Sequence, residues 1–238
     1  MDDRISQLPD DILSYILTML SIKDANLMLV DCLKLTSLEC LGSDLSTLNI
    51  YTHVHVLKRI DFSVSMEEFL DAFALCATFP ELEIMRVEIY TMVVTTSLNI
   101  AQPLKHLKQL DCIIDLCFVE DCDLMVILNI LQASPLLQKL SVTIEEPRLF
   151  EEQYDIRDVE VSSHNELKVI ELGGCVSNWF EIEFVMNVLK YTNKLEQIVV
   201  SPYWRYGSNP VWFQGGRERM IEKLQGENVV GKEKLVFI

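Results

Sequence analysis

Four histidines and seven cysteines are the side chains best suited to covalent or metal chemistry in this 238-residue chain. His53-x-His55 places two imidazoles on one strand face, yet no acid or thiol stands at ligand spacing, so a metal site is not expected. His106 with Cys112 or Cys117 is the one conceivable thiol–imidazole pair. Cys112, however, fills an apolar slot of a regular pattern, which marks it as core. Gly173-Gly174 and Gly215-Gly216 lack the G-x-x-x-x-G-K-[ST] spacing of a phosphate loop. No cofactor is implied, and an enzyme is not expected. The cysteines are odd in number and contain no C-x-x-C pair, which suits small buried thiols in a reducing compartment.

The chemistry that remains is recognition. Tyr203, Trp204, Arg205 and Trp212 lie in one aromatic-rich loop, 201–216, and are of the types enriched at binding hot spots. That loop would either contact a target or cover the open edge of the last repeat. A second set, Asp61, Arg86, Asp111, Ser141 and Glu171, is defined by position. Each stands between the last two apolar residues of a recurring Leu-x-x-apolar-x-apolar unit that begins at Leu57, Leu82, Leu107, Leu137, Leu167 and Leu195.

The starts of that unit are 25, 25, 30, 30 and 28 residues apart. Alternation after the leucine buries one face of a short strand. A strand returning at this interval is the mark of an α/β leucine-rich solenoid in which successive strands stack. The residues between the ladder positions, Val199 included, then point outward from the concave side. The next outward column is Ser63, Glu88, Ile113, Thr143, Gly173 and Ser201. Together the two columns carry Asp61, Glu88, Asp111 and Glu171 against the single Arg86, which suits a basic or hydroxyl-rich ligand, although a plainly solvated sheet face also needs polar residues.

Helical segments are predicted at 66–77, 123–133 and 181–191, each closed by an exit such as Phe79-Pro80-Glu81-Leu82 or Ser134-Pro135-Leu136-Leu137. A short helix at 217–224 and a strand at 235–238 end the pattern. Leu45, Leu48 and Ile50 are candidates for an edge strand. The charged loop 145–160 reads as a mobile, solvated insertion.

A formal charge of −16, from 36 acids and 20 bases, with no basic cluster, argues against nucleic acid as a partner. Apolar runs such as 124–128 are too short to cross a bilayer, and the acidic start lacks a leader-like apolar region. The expected setting is cytoplasmic or nuclear, without membrane contact.

Near the start, Pro9 suits a first helical turn, with Asp10 and Asp11 at its positive end. Ile12, Leu13, Ile16, Leu17 and Leu20 then form a stripe at helical spacing. The run Arg4-Ile5-Ser6-x-Leu8-Pro9-Asp10-Asp11-Ile12-Leu13-x-x-Ile16-Leu17-x-x-Leu20-x-x-Lys23-Asp24-Ala25 resembles the opening of plant F-box proteins. The resemblance implies docking of Leu8, Pro9, Ile12, Leu13, Ile16 and Leu20 on the Skp-type adaptor of an SCF-type E3 ubiquitin ligase. The second half departs from that family: Asp31-Cys32-Leu33-Lys34-Leu35 stands where Leu-Ser-x-Arg-Trp is usual. Losing a tryptophan that can bury on the order of 200 Å² weakens the unit or its docking. From Val161 onward the chain is similar to the FBD region of plant F-box/LRR proteins. The similarity lies in His164-x-x-Leu167-Lys168-Val169-Ile170-x-Leu172-x-Gly174, an acidic amphipathic helix, and Leu195-Glu196-Gln197-Ile198-Val199-Val200. The implied organisation is an F-box-like helical unit at 1–44, repeats at 45–160 and FBD-like repeats with a cap at 161–238. The implied function is substrate recognition for the ligase, with an unknown target protein held by the repeats. The alternative is an interaction module, or a decayed paralogue, uncoupled from any ligase.

Overall fold

The computed structural model describes residues 9, 12, 36–40, 56–90, 102–115, 123–150, 156–157, 159, 163–206, 209–212, 215–226 and 230–238. Leu8, Leu13, Ile16 and Leu20, the second half of the F-box-like run, and Leu45, Leu48 and Ile50 lie outside them.

The Leu-x-x-apolar-x-apolar units form strands at β2 (Arg59–Ser65), β3 (Ile84–Tyr90), β4 (Gln109–Asp115), β5 (Lys139–Glu145), β6 (Val169–Gly173) and β7 (Gln197–Val200). All pair in parallel, in chain order. One edge is β1 (Ser37–Cys40) and the other is β10 (Leu235–Phe237). The sheet therefore has eight strands. Register is kept throughout, so Leu38, Ile60, Met85, Leu110, Leu140, Ile170 and Ile198 are successive partners, ending at Leu235. Every member from Leu38 to Ile198 is buried. Each such side chain contributes about 1.5–3 kcal/mol by leaving water.

What sets the register is a repeated turn. The carbonyl of Lys58 accepts from the N–H groups of both Glu83 and Ile84, and that of Glu83 accepts from Lys108 and Gln109. Lys108, Gln138 and Lys168 repeat the arrangement with the next strand's lead-in. Every repeat thus starts from a carbonyl of the one before.

Helices cover one side of the sheet: α1 (Met66–Cys76) before β3, α2 (Met125–Ala133) before β5 and α3 (Trp179–Tyr191) before β7. α1 opens on a Ser65–Glu68 capping box and buries Phe69 and Phe73, whose ring centroids are 4.6 Å apart. α2 begins two residues later than its sequence suggests, because the Asp123 carboxylate accepts from the Met125 N–H at 2.9 Å instead of entering the helix. α3 opens on an Asn178–Glu181 box. A fourth helix, α4 (Gly216–Gly226), packs against α3. Among the described residues, no helix is long and apolar enough to cross a membrane.

The edge strand at 37–40 pairs with β2, while the strand expected from Leu45, Leu48 and Ile50 falls outside the described residues. Two expectations are corrected. The open edge of the last repeat is taken by β10 and not by the aromatic segment. That segment is an antiparallel hairpin of β8 (Tyr203–Tyr206) and β9 (Asn209–Trp212), with β8 lying against β5.

The second concerns the charged loop, whose described parts are fixed. Asn178 donates to the Arg148 carbonyl at 2.9 Å and accepts from the Phe150 N–H at 3.0 Å. Asn187 treats Arg157 O and Val159 N in the same way, at 3.0 and 3.3 Å. Between them, Glu183 accepts from the Arg157 backbone at 2.7 Å and from its guanidinium at 2.7 and 2.9 Å. Arg157 also pairs with Asp123 at 2.8 Å. The described parts of the loop, 145–150, 156–157 and 159, thus form a strap held by α3. It stands before β6, in the place that a helix takes before β3, β5 and β7.

Candidate interaction face

Strand alternation sends the even-numbered residues of β2 into the core and leaves Arg59, Asp61, Ser63 and Ser65 half-buried on the other face. The same holds in β4 and β5. Register then aligns Glu39, Asp61, Arg86, Asp111, Ser141, Glu171, Val199 and Val236 as one outward column. The five sequence-selected members, Asp61, Arg86, Asp111, Ser141 and Glu171, are consecutive in it. Ser63, Glu88, Ile113, Thr143 and Gly173 form the next column. Gly173 leaves room that the Thr143 side chain uses: a Cβ there would stand 3.3 Å from Thr143 Oγ1.

Most charges on this face have local partners. Arg59 Nη2 meets Asp61 Oδ2 at 2.8 Å, and that hydrogen bond is the main cause that holds the guanidinium pKa above its ordinary value. Lys139 Nζ meets Glu171 Oε1 at 2.8 Å, Gln109 donates to Asp111 at 3.0 Å, and Ser63 donates to Glu88 at 3.0 Å. Arg86 is exposed and makes no ion pair among the described residues. The Glu145 carboxyl is pushed upward in pKa, first by burial and then by Glu88, Asp115 and Glu146. Arg86 counters that in part. Among the described residues the face therefore presents carboxylates in excess, and Arg86 makes no ion pair there.

The aromatic candidates come next to this face. Gly174 N donates to Tyr203 O at 2.9 Å and Cys175 N to Ser201 O at 3.0 Å, which carries the chain past the end of the short β6 towards β5. Tyr203 is exposed. Trp204, Arg205 and Trp212 take their places on the hairpin backbone, with Trp204 opposite Val211 and Tyr203 opposite Trp212. Of the N-terminal candidates, Pro9 and Ile12 are described. The Ile12 N–H donates to the Pro9 carbonyl at 3.0 Å, and Ile12 is 44% exposed.

Of the candidate thiol–imidazole pairs, only His106 and Cys112 are both described, and their surroundings differ. His106 is exposed in the turn before β4, whereas Cys112 is buried within that strand, where burial drives its thiol pKa far up. His164 is buried: its Nε2 bonds to the Ser134 carbonyl at 2.9 Å and its Nδ1 accepts from the Leu167 N–H at 3.1 Å. Cys117, His53 and His55 fall outside the described residues. Among those described, no group of three His, Cys, Asp or Glu residues could hold a metal ion.

Two polar clusters behind the sheet escape a reading by repeats alone. One is the Arg157–Asp123–Glu183 cluster of the strap. The other surrounds Glu181, which is fully buried and accepts from the Ser177 and Asn178 N–H groups and from Cys175 Sγ at 2.9 Å. Burial pushes its carboxyl up to about 7, against the opposing pull of those hydrogen bonds. Ser177, at φ 69°, also donates to the Gly216 carbonyl, joining this turn to α4. The signal in the sequence was the Asn178-x-x-Glu181 spacing of a capping box and the polar Glu183 and Asn187 inside an apolar helix.

A parallel ladder with one strand per repeat, leucines inward and polar columns outward, defines a leucine-rich-repeat protein. Residues 12–216 match the At1g61320/AtMIF1 LRR domain family, and the chain belongs to that family. No curated protein and no solved structure matches the chain.

Proposed function

We propose that this chain is a non-enzymatic recognition module whose outward sheet face holds a target protein. The observation that carries the reading is the column from Asp61 to Glu171. Five polar side chains stand there in unbroken register on a rigid sheet, where a partner meets a pre-organised surface. The hairpin with Tyr203, Trp204, Arg205 and Trp212 extends that surface at β5.

The finer assignment is substrate recruitment for an SCF-type ubiquitin ligase, in a cytoplasmic or nuclear setting. Support comes from the F-box resemblance of Arg4 to Ala25, in which Leu8, Pro9, Ile12, Leu13, Ile16 and Leu20 would meet the Skp-type adaptor. An exposed Ile12 just after Pro9 suits such a contact. A module without ligase coupling is the second reading, favoured by Asp31 and by the missing tryptophan.

Calorimetric titration of the full chain with a Skp-type adaptor separates the two. Micromolar or tighter binding that is lost in a Leu8→Asp, Ile12→Asp variant supports the ligase assignment. Absence of heat from folded protein refutes it and leaves the uncoupled module.

A further inference from the structure

We propose that the turn from Cys175 to Asn178 is a proton-operated joint, through which loss of the Glu181 proton releases the C-terminal cap of α4 and β10 from the repeats. The turn faces two ways. Toward α3, the Ser177 and Asn178 N–H groups donate to Glu181 Oε2 at 2.5 and 3.2 Å, and the Cys175 thiol donates to the same oxygen at 2.9 Å. Toward α4, the Ser177 hydroxyl donates to the Gly216 carbonyl, and the Val176 carbonyl accepts from Arg219 Nη2 at 2.8 Å. The approach is close: a Cβ on Gly216 would stand 2.9 Å from the Cys175 carbonyl oxygen. Met220 and Leu224 of α4 are buried and complete the seat. Arg217, 5.8 Å from the centre of the Phe237 ring, ties α4 to β10. The carboxyl and the cap are thus held by the same four residues, and Ser177 among them stands at φ 69°, in the region that favours glycine.

Glu181 is buried and, among the described residues, makes no ion pair. Few titratable or charged groups stand near it. On the turn, the Cys175 thiol is held well above its ordinary pKa, first by burial and then by Glu181, so it stays a donor. On α4, Arg219 turns its guanidinium to the Val176 carbonyl. On the strap, Arg148 meets Asn178 through its carbonyl, with its side chain exposed. A carboxylate enclosed in this way has lost its hydration and gained no cation. Lifting α4 from the turn lets water in by breaking two polar links and a small apolar seat at the end of the ladder. Opening α3 instead breaks its capping box and exposes Phe180, Ile182, Phe184 and Val185. Local openings of least cost are taken first. Release of the cap leaves β7 as the edge of the sheet.

Amide hydrogen exchange of the full chain at about pH 5.5 and about pH 8, with each rate divided by its intrinsic value, reads the opening of each segment. Glu181 ionises at about 7 in the closed cap and near its ordinary 4.5 once hydrated, so opening is favoured as pH rises. Protection of α4 is expected to fall about 25-fold over that span in the wild type. Protection of β3 and β4, several repeats away, should stay level, and in Glu181→Gln that of α4 should stay level too. An equal fall in α4 and β4 means that Glu181 titrates only in whole-chain unfolding, and overturns the proposal. So does an α4 that keeps its protection, or a fall that survives in Glu181→Gln. The comparison of α4 with β4 within the wild type decides even where Glu181→Gln does not fold. Gly216→Ala, which crowds the Cys175 carbonyl, tests the seat without touching the carboxyl. It should lower α4 protection at both pH values, and an unchanged α4 overturns the joint.

Discussion

Glutamine in place of Glu181 should change how stability depends on pH, and the sign comes from the burial of the carboxyl. In the unfolded chain the group ionises near its ordinary 4.5, and in the folded chain near about 7. Below the first value both states are protonated and ionisation costs nothing. Between the two, the folded state keeps a proton that the unfolded state has released, so stability falls as pH rises. Above about 7 the loss is complete. The span corresponds to about 3 kcal/mol in total. Because the protein's pI is near 4.6, the accessible window is about pH 5.5 to about pH 8, over which about 2 kcal/mol of that change falls. Glutamine keeps an oxygen for the Ser177 and Asn178 N–H groups but cannot ionise. Urea unfolding monitored through fluorescence of Trp179, which opens the same helix, should therefore give a wild type that weakens with pH relative to the variant. Other titrating groups act on both proteins and cancel in the difference. Parallel profiles across the window would refute the reasoning, because Glu181 would then titrate alike folded and unfolded.

Two further changes probe the strap and the ladder. Arg157→Met leaves Asp123 and Glu183 without their cation; solvent reaches Arg157, so the loss should be about 2 kcal/mol and not the full cost of a broken buried pair. It should also open the chain around Arg157 and Val159 to limited proteolysis, and an unchanged digestion pattern would rule out the strap's anchoring role. Leu110→Ala, at the centre of the apolar row, should cost about 3 kcal/mol in thermal unfolding. A cost below about 1 kcal/mol would mean that the neighbouring repeats collapse to fill the space.

The ladder was legible because each repeat states it anew: a leucine, then apolar residues at fixed offsets, then a proline or asparagine exit ahead of the next. Since strands stack one per repeat, position within the unit also gave the outward column, from Asp61 to Glu171. β1 was not legible. Leu35-x-x-Leu38-x-Cys40 does carry the spacing of the unit, with Leu38 and Cys40 opposite Ile60 and Phe62, but it stands in a stretch dominated by the F-box resemblance, and the cysteine in the last slot disguised it. Composition misled at the strap, whose charges look solvated when read alone. Its fixed position depends on Asn178, Glu183 and Asn187, which stand on a later element and bind mainly its backbone. The hairpin was hidden for a related reason, since its placement is decided by how early β6 ends. For the face itself, the sequence placed the side chains in a column but could not show that Arg59 and Lys139 are already matched while Arg86 makes no ion pair among the described residues.

The two-for-one carbonyl turns have a consequence for cooperativity. Each one ties a repeat only to its immediate predecessor, and the strands likewise hydrogen-bond only to adjacent strands. Free energy in such a chain is close to a sum of local and nearest-neighbour parts, so melting can start at an end and travel inward. A probe on α3 then reports the C-terminal repeats, while one near β2 reports the others. A single midpoint for the whole chain would mean that coupling between adjacent repeats is strong enough to make them melt as one unit.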